Sequence, residues 1–167
     1  SHRAVTAHLE TYRRTLSYCA GERLFNALPL HHTDGFFHGP LMAMWAGLTL
    51  VRPERPFSAA ALPDWTGLAK QTGLDVFVTV PTMLAMLDGL DGNPFLPMLK
   101  GSRLIVSSAE PLPSMLGNRI EATIAPVANI YGMTETINGG LFRLPRSADA
   151  VDDVADVCLF LASDAAR

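Results

Sequence analysis

Three short stretches hold the residues whose types and spacing could do chemistry. In Tyr131-Gly132-Met133-Thr134-Glu135-Thr136, the tyrosine offers a flat face for a base and the glycine permits close approach. Thr134 adds a hydroxyl, and Glu135 adds a hard oxygen suited to Mg²⁺. Together they suit a nucleotide phosphate ester and its metal. Composition alone favours a plain strand-end turn with a solvated Glu135 and a packed Tyr131. The other two stretches, His31 to Gly35 and Ser107 to Pro111, are also polar and also follow apolar runs. His31, His32, His38 and Asp34 invite a metal reading, but adjacent loop histidines rarely share one ion and nothing completes a tetrahedral set. A polar loop at a strand end is the expectation. Ser107 and Ser108 lack a Gly-x-Ser-x-Gly elbow, which argues against a hydrolase nucleophile.

The elements that must position these stretches alternate. Val5, Leu9, Tyr12 and Leu16 recur at helical spacing between His2 and Ala20, with Gly21 as the expected stop. Arg23 to Leu28 reads as a buried strand closed by Pro29, and Phe36 to Ala46 as a helix. Leu48 to Val51 is a brief strand; Ser58 to Thr72 is a helix capped by Ser58, with Pro63 in its first turn. Val76 to Val80 is a β-branched strand, and Pro81 can open a helix running to Leu90 because its missing donor costs nothing there. A loop over Gly92 to Pro97, a strand Arg103 to Val106, a helix Pro113 to Ala122 and a last strand Val127 to Ile130 follow. Short apolar strands without period-two polarity predict an α/β fold, a mainly parallel sheet with helices on both faces. In such a sheet, ligands bind where loops leave the carboxyl ends of the strands, so the three polar loops should meet on one edge.

Composition narrows the classes. The chain has 167 residues, 49% of them hydrophobic and 17% charged, with a net charge of −3. That is one domain with an appended element, able to fold without disulfides or metal. It is too apolar for disorder and carries no basic stripe, which excludes nucleic-acid binding. No apolar run approaches the ~18 residues of a membrane span. Cys19 and Cys158 form no pair, which fits a reducing cytoplasm. The start, Ser1-His2-Arg3, has neither Met nor a signal core and suggests a piece of a longer chain. Met42, Met44, Met83, Met86, Met98 and Met115 read as core filling, and Asp75, Asp88 and Asp91 as solvated turn charges.

The run Asn129 to Thr136 resembles the signature of the AMP-forming acyl- and aryl-CoA synthetase and adenylation-domain superfamily, which also includes the luciferases. Leu28-Pro29-Leu30-His31-His32-Thr33-Asp34-Gly35 is similar to its proline-led histidine motif, with His32 at the histidine position. Thr79-Val80-Pro81-Thr82-Met83 resembles its strand-to-helix junction, and Ser107 to Pro113 its small-residue adenine loop. The four occur in the family's order, and an ordered set is far more specific than any one motif.

The resemblance implies an incomplete adenylation-domain core and a set of roles. Tyr131 and Gly132 would hold adenine with Ser108, Ala109 and Glu110, the last three through backbone contacts. Thr134 would bond the α-phosphate, and Glu135 would hold Mg²⁺. His32 would sit beside the acyl carboxylate and the thiol entry, with Gly35, Phe36 and Ile137 lining the acyl side. Catalysis would rest on His32, Thr134 and Glu135. The implied reaction joins a carboxylic acid to AMP from ATP and passes the acyl group to CoA.

Departures set limits on that expectation. The family's phosphate loop, ribose-binding acid and C-terminal catalytic lysine have no counterpart in the chain. It therefore reads as a central fragment over residues 1–144, not expected to turn over ATP by itself, followed by a tail over 145–167. In the tail, Val151, Val154, Cys158 and Leu161 share one face of an amphipathic helix. Asp152 to Ala166 resembles a late helix of short-chain dehydrogenases, yet no dinucleotide loop or Tyr-x-x-x-Lys pair accompanies it. A non-catalytic remnant, or a fusion with a dehydrogenase tail, stays open as an alternative. An uncovered sheet edge would invite self-association.

Overall fold

The computed structural model describes residues 2–132 and 139–145. Helix α1 (His2–Thr15) leads into β1 (Arg23–Asn26). A helical stretch follows in three parts: α2 (Thr33–Phe36), a π-helical turn (Phe37–Leu41) and α3 (Met42–Ala46). Next come β2 (Thr49–Val51), a 3-10 turn (Ala59–Ala61), α4 (Leu62–Thr72) and β3 (Val76–Thr79). Helices α5 (Pro81–Gly89) and α6 (Leu96–Leu99) precede β4 (Leu104–Ser107). Helix α7 (Ser114–Thr123), β5 (Val127–Gly132) and β6 (Gly139–Arg143) complete the described chain.

The strands form one sheet in the order β2-β1-β3-β4-β5-β6. The first five are parallel, and β6 runs antiparallel beside β5. This is the α/β, mainly parallel architecture the apolar strands predict. Every residue of β3 and β4 is buried, because helices cover both faces of a parallel sheet. On one face, the Phe25 ring lies 5.3 Å from Phe95, 5.5 Å from Trp65 and 5.9 Å from its register partner Phe77. On the other, Tyr12 of α1 packs edge-on to Phe37, His38 and Phe142.

Several expectations need correction. Helix α1 stops at Thr15, well before Gly21, because Ser17 turns left-handed at φ 53° and Arg103 binds the Leu16 carbonyl at 3.0 Å. The second helix starts at Thr33, capped by His32, and is not continuous. Pro40 has no N–H and would crowd the preceding turn, so the chain widens into a π turn with Gly39 at φ −111°, ψ −108°. Ser58 makes no side-chain cap, and α4 begins only at Leu62 with Pro63 in its first turn. The stretch read as a loop around Pro97 contains α6, and β6 follows what was expected to be the last strand.

The methionines divide. Met42 and Met83 are buried, whereas Met44, Met86 and Met115 stand exposed, so only part of the set fills the core. Asp75 is not a solvated turn charge. It accepts from the Arg23 guanidinium and backbone N–H, tying the start of β1 to β3, and the Arg23 side chain holds its carboxyl below the usual range. Asp88 pairs with Arg119. The expected tail helix lies outside the described residues. No helix among the described residues is long and apolar enough to cross a membrane.

His38, weighed with the loop histidines as a metal candidate, is fully buried and hydrogen-bonded through Nε2 to the Tyr18 hydroxyl, with Tyr12 beside it and Arg103 over the Tyr18 ring. Burial pushes its pKa from 6.5 down to about 3. The unfolded chain then binds one more proton than the folded chain between those values, so stability falls as pH drops through that window. The contribution reaches about 1.4 kcal/mol per pH unit. We expect the stability gap between wild type and His38→Gln, from denaturant midpoints, to narrow steadily from neutral pH into that window. A pH-independent gap would contradict it.

Candidate functional site

Parallel register puts the carboxyl ends of the central strands in a row. Asn26 pairs with Val78, Thr79 with Ser107, and Ser107 with Asn129. The loops after β1, β3 and β4 and the end of β5 therefore leave the same edge. His32, Ser108 to Glu110, and Tyr131 with Gly132 all lie there. The nucleotide-type residues sit on adjoining strands β4 and β5. His32 follows β1, two strand positions from β4, or about 10 Å by ordinary strand spacing. Thr134, Glu135 and Ile137 lie outside the described residues.

The histidine loop is built by its own polar groups. The His32 N–H donates to the Pro29 carbonyl at 3.0 Å, and His32 Nδ1 accepts the Asp34 N–H at 3.2 Å, capping α2. With Nδ1 an acceptor, the neutral ring carries its proton on Nε2. Beneath it, Asn26 is wholly buried and uses its whole amide: Nδ2 donates to the Asp34 and His38 carbonyls at 2.9 and 3.1 Å, and Oδ1 accepts from Leu28 N at 2.9 Å. Asp34 is buried too, with Oδ2 3.5 Å from His32 Nδ1. Gly35 is buried against the Leu28–Pro29 backbone, whereas Phe36 is half exposed. His31 is exposed on the loop.

The β4 loop is pinned to its neighbours. Ser108 N donates to the Thr79 carbonyl at 3.2 Å, and Thr82 Oγ1 at the start of α5 donates to Glu110 Oε2 at 2.6 Å. Between them Ala109 is left-handed at φ 73°, a conformation that costs a non-glycine residue of order 1 kcal/mol and is held by these anchors. Tyr131 is 63% exposed at the end of β5, so the alternative of a packed tyrosine fails. A register shift falls between Tyr131, opposite Leu141, and Gly132, opposite Gly139, where β5 and β6 pair.

Besides Asp34 Oδ1 in the histidine loop, three buried polar atoms at the β4–β5 part of this edge have no hydrogen-bond partner among the described residues: Ser107 Oγ, Ser108 Oγ and Asn129 Oδ1. Unsatisfied groups this buried are rare and call for a partner outside the set. Ser107 and Asn129 are register partners, and Asn129 shares a strand face with Tyr131. A hydroxyl, an amide oxygen and an exposed aromatic ring thus border one position. This arrangement can bind a flat heterocycle by one edge and one face. Asn129, Ser107 and Thr82 were not singled out as site residues from sequence, although a polar residue ending an apolar strand is the available signal. Among the described residues no three His, Cys, Asp or Glu side chains cluster to hold a metal.

Comparison with known proteins agrees with this geometry. The model of the AMP-binding enzyme family matches residues 1–155. An acyl-CoA ligase, cnsG of Penicillium expansum, is 28% identical over 141 residues, covering 81% of this chain and 28% of its own length. Thus the chain spans little more than a quarter of that relative. Among solved structures, the N-terminal domain of FACL13 from Mycobacterium tuberculosis superposes with a TM-score of 0.74 at 21% identity, over 86% of this chain and 35% of that one. O-succinylbenzoate coenzyme A synthetase of Bacillus subtilis, in complex with ATP and magnesium, gives 0.69 at 24% identity, over 85% and 28%. The nonribosomal peptide synthetase FmoA3 in its AMPPNP-bound form gives 0.69 at 28% identity, over 91% and 16%. Sheet order, strand-end loops and family match converge, and the chain belongs to the family of AMP-binding enzymes.

Proposed function

We propose that the chain carries the base-binding and acyl-facing edge of an ATP-dependent acid–thiol ligase, which activates a carboxylic acid as its acyl adenylate and passes the acyl group to CoA. The observation that carries this reading is the trio of buried polar atoms Ser107 Oγ, Ser108 Oγ and Asn129 Oδ1, without hydrogen-bond partners among the described residues, at the edge where β5 ends in the exposed Tyr131. A purine supplies both things the trio and ring lack, polar edge atoms and a stacking face. The likeness to an acyl-CoA ligase supports thiol transfer as the second half of the reaction.

In this reading Tyr131 stacks on adenine, and the backbone of Ser108, Ala109 and Glu110 borders it, fixed by the Thr82 and Thr79 anchors. His32 meets the acyl carboxylate with an Nε2–H donor, stabilising charge on that side of the cleft without itself changing charge. Gly132, Thr134 and Ile137 continue the nucleotide and acyl walls. Mg²⁺, when bound, would offset phosphate charge; its proposed ligand is Glu135. The protein's contribution is orientation: base on β4–β5, carboxylate by β1, with the phosphorus between them.

Titration of AMP into the protein tests the reading. Stacking of a base on an aromatic ring is worth about 1–3 kcal/mol, so Tyr131→Ala should weaken AMP binding roughly 5- to 150-fold while leaving the unfolding midpoint nearly unchanged. Equal affinity in wild type and variant, or no AMP binding in either, overturns it.

A further inference from the structure

Four arginines are half-buried among the described residues: Arg13, Arg23, Arg52 and Arg143. Three hold a carboxylate, Arg13 with Glu10 at 2.8 Å, Arg23 with Asp75 at 2.6 Å and Arg143 with Glu121 at 3.5 Å. Arg52 holds none among the described residues. Its Nη1 donates to the Asn26 carbonyl at 3.0 Å and Nη2 to the Leu28 carbonyl at 2.9 Å. Carbonyls satisfy two N–H groups, but they are dipoles and leave the cation uncompensated. Partial burial lowers its pKa with no carboxylate to offset the loss of water. Three of the five guanidinium N–H donors remain.

The location gives this spare charge a direction. Arg52 directly follows β2, whose Val51 is in register with Phe25 of β1, so it lies on the same carboxyl edge as the candidate site. Leu28 O, which it binds, also borders Gly35 in the histidine loop. From β4 it is three strand positions away, about 14 Å at ordinary spacing, on the far side of His32. A ligand with its base on β4–β5 would bring the part beyond the reacting carboxylate to this end.

We propose that Arg52 is an oxyanion-binding residue at the far end of the cleft, receiving a second carboxylate of the acid or a phosphate of the acceptor. A planar fork with free N–H groups matches either oxyanion, and the two backbone carbonyls hold its plane in place before the ligand arrives. Binding at this position would select acidic ligands over neutral ones. The direction of approach rests on the proposed adenylate reading; the vacant charge does not.

The test uses the whole chain, isotopically labelled, with NMR of the Arg52 side-chain Nε–Hε signal. Inorganic phosphate and succinate are titrated separately at constant ionic strength. A saturable shift at Arg52, absent at Arg23 whose guanidinium Asp75 already occupies, supports the proposal. The anion that saturates at lower concentration tells phosphate from carboxylate. Arg52→Lys keeps the charge but loses the fork and should bind roughly tenfold more weakly, followed on the Gly35 amide. Arg52→Gln should abolish the response; should it fail to fold, the lysine variant decides alone. No shift with either anion, equal shifts at Arg23, or undiminished binding in Arg52→Lys overturns it. AMP titrated into the same sample separates the two ideas. AMP binding with a silent Arg52 refutes the oxyanion site only, and a responding Arg52 without AMP binding refutes the adenylate reading only.

Discussion

Gly35→Ala is expected to lower the unfolding free energy by about 3 kcal/mol, the upper end of what overpacking costs. A Cβ built at this position would sit 1.9 Å from the Pro29 carbonyl oxygen, 2.5 Å from its carbon and 2.7 Å from the Leu28 oxygen. All three are backbone atoms, so no side-chain rotation relieves the overlap. Nor can the backbone yield easily. Proline restricts its own φ, Leu28 O is held by Arg52, and Leu28 N by Asn26. The release left is displacement of the turn carrying His32, so ligand affinity should fall along with stability. Denaturant unfolding measures the first effect, and AMP or acid titration the second. A change within about 0.5 kcal/mol, the range of an ordinary surface substitution, would show that the close packing of Gly35 on Leu28–Pro29 is wrong. In that case the glycine would be needed for ligand approach instead.

The second large effect concerns Asn26. Asn26→Leu keeps the volume and removes all three hydrogen bonds, leaving the Asp34 and His38 carbonyls and the Leu28 N–H to find new partners in a dry site. At about 1–3 kcal/mol for each buried group left unmet, partly relieved by relaxation, the expected loss is about 4 kcal/mol. Asn26→Asp separates donors from acceptor. It keeps the bond from Leu28 N, loses both donations, and adds a buried charge, so it should be no more stable than the leucine variant. An aspartate variant close to wild type would mean that the two donations to Asp34 and His38 count for little. Gly35 and Asn26 act on the same turn, so the double variant should lose less than the sum of the single losses.

Both effects fall on residues whose importance a linear reading underrates. The resemblance places Gly35 on the acyl side; its packing shows that it gives its own chain room. In sequence Asn26 is only one residue inside the buried run Arg23 to Leu28, yet it shapes the histidine loop. The π turn at Pro40 and the early stop of α1 at Thr15 have similar origins. In each, a contact distant in sequence, or a missing donor, outweighs the local helical pattern.

What the sequence determined by itself was the class of fold and which polar loops share its carboxyl edge. Short apolar strands that lack alternation can only be stable covered on both faces, and that condition forces a parallel sheet with its loops on one edge. Four motifs in the right order then marked which loops matter. Among the described residues, tertiary structure alone decided which buried polar atoms lack partners, which half-buried arginine holds no carboxylate, and that β6 pairs with β5. The reason is physical. Burial and hydrogen-bond satisfaction are properties of neighbours brought together across dozens of residues, as Arg23 and Asp75 are, and no local pattern encodes who those neighbours will be.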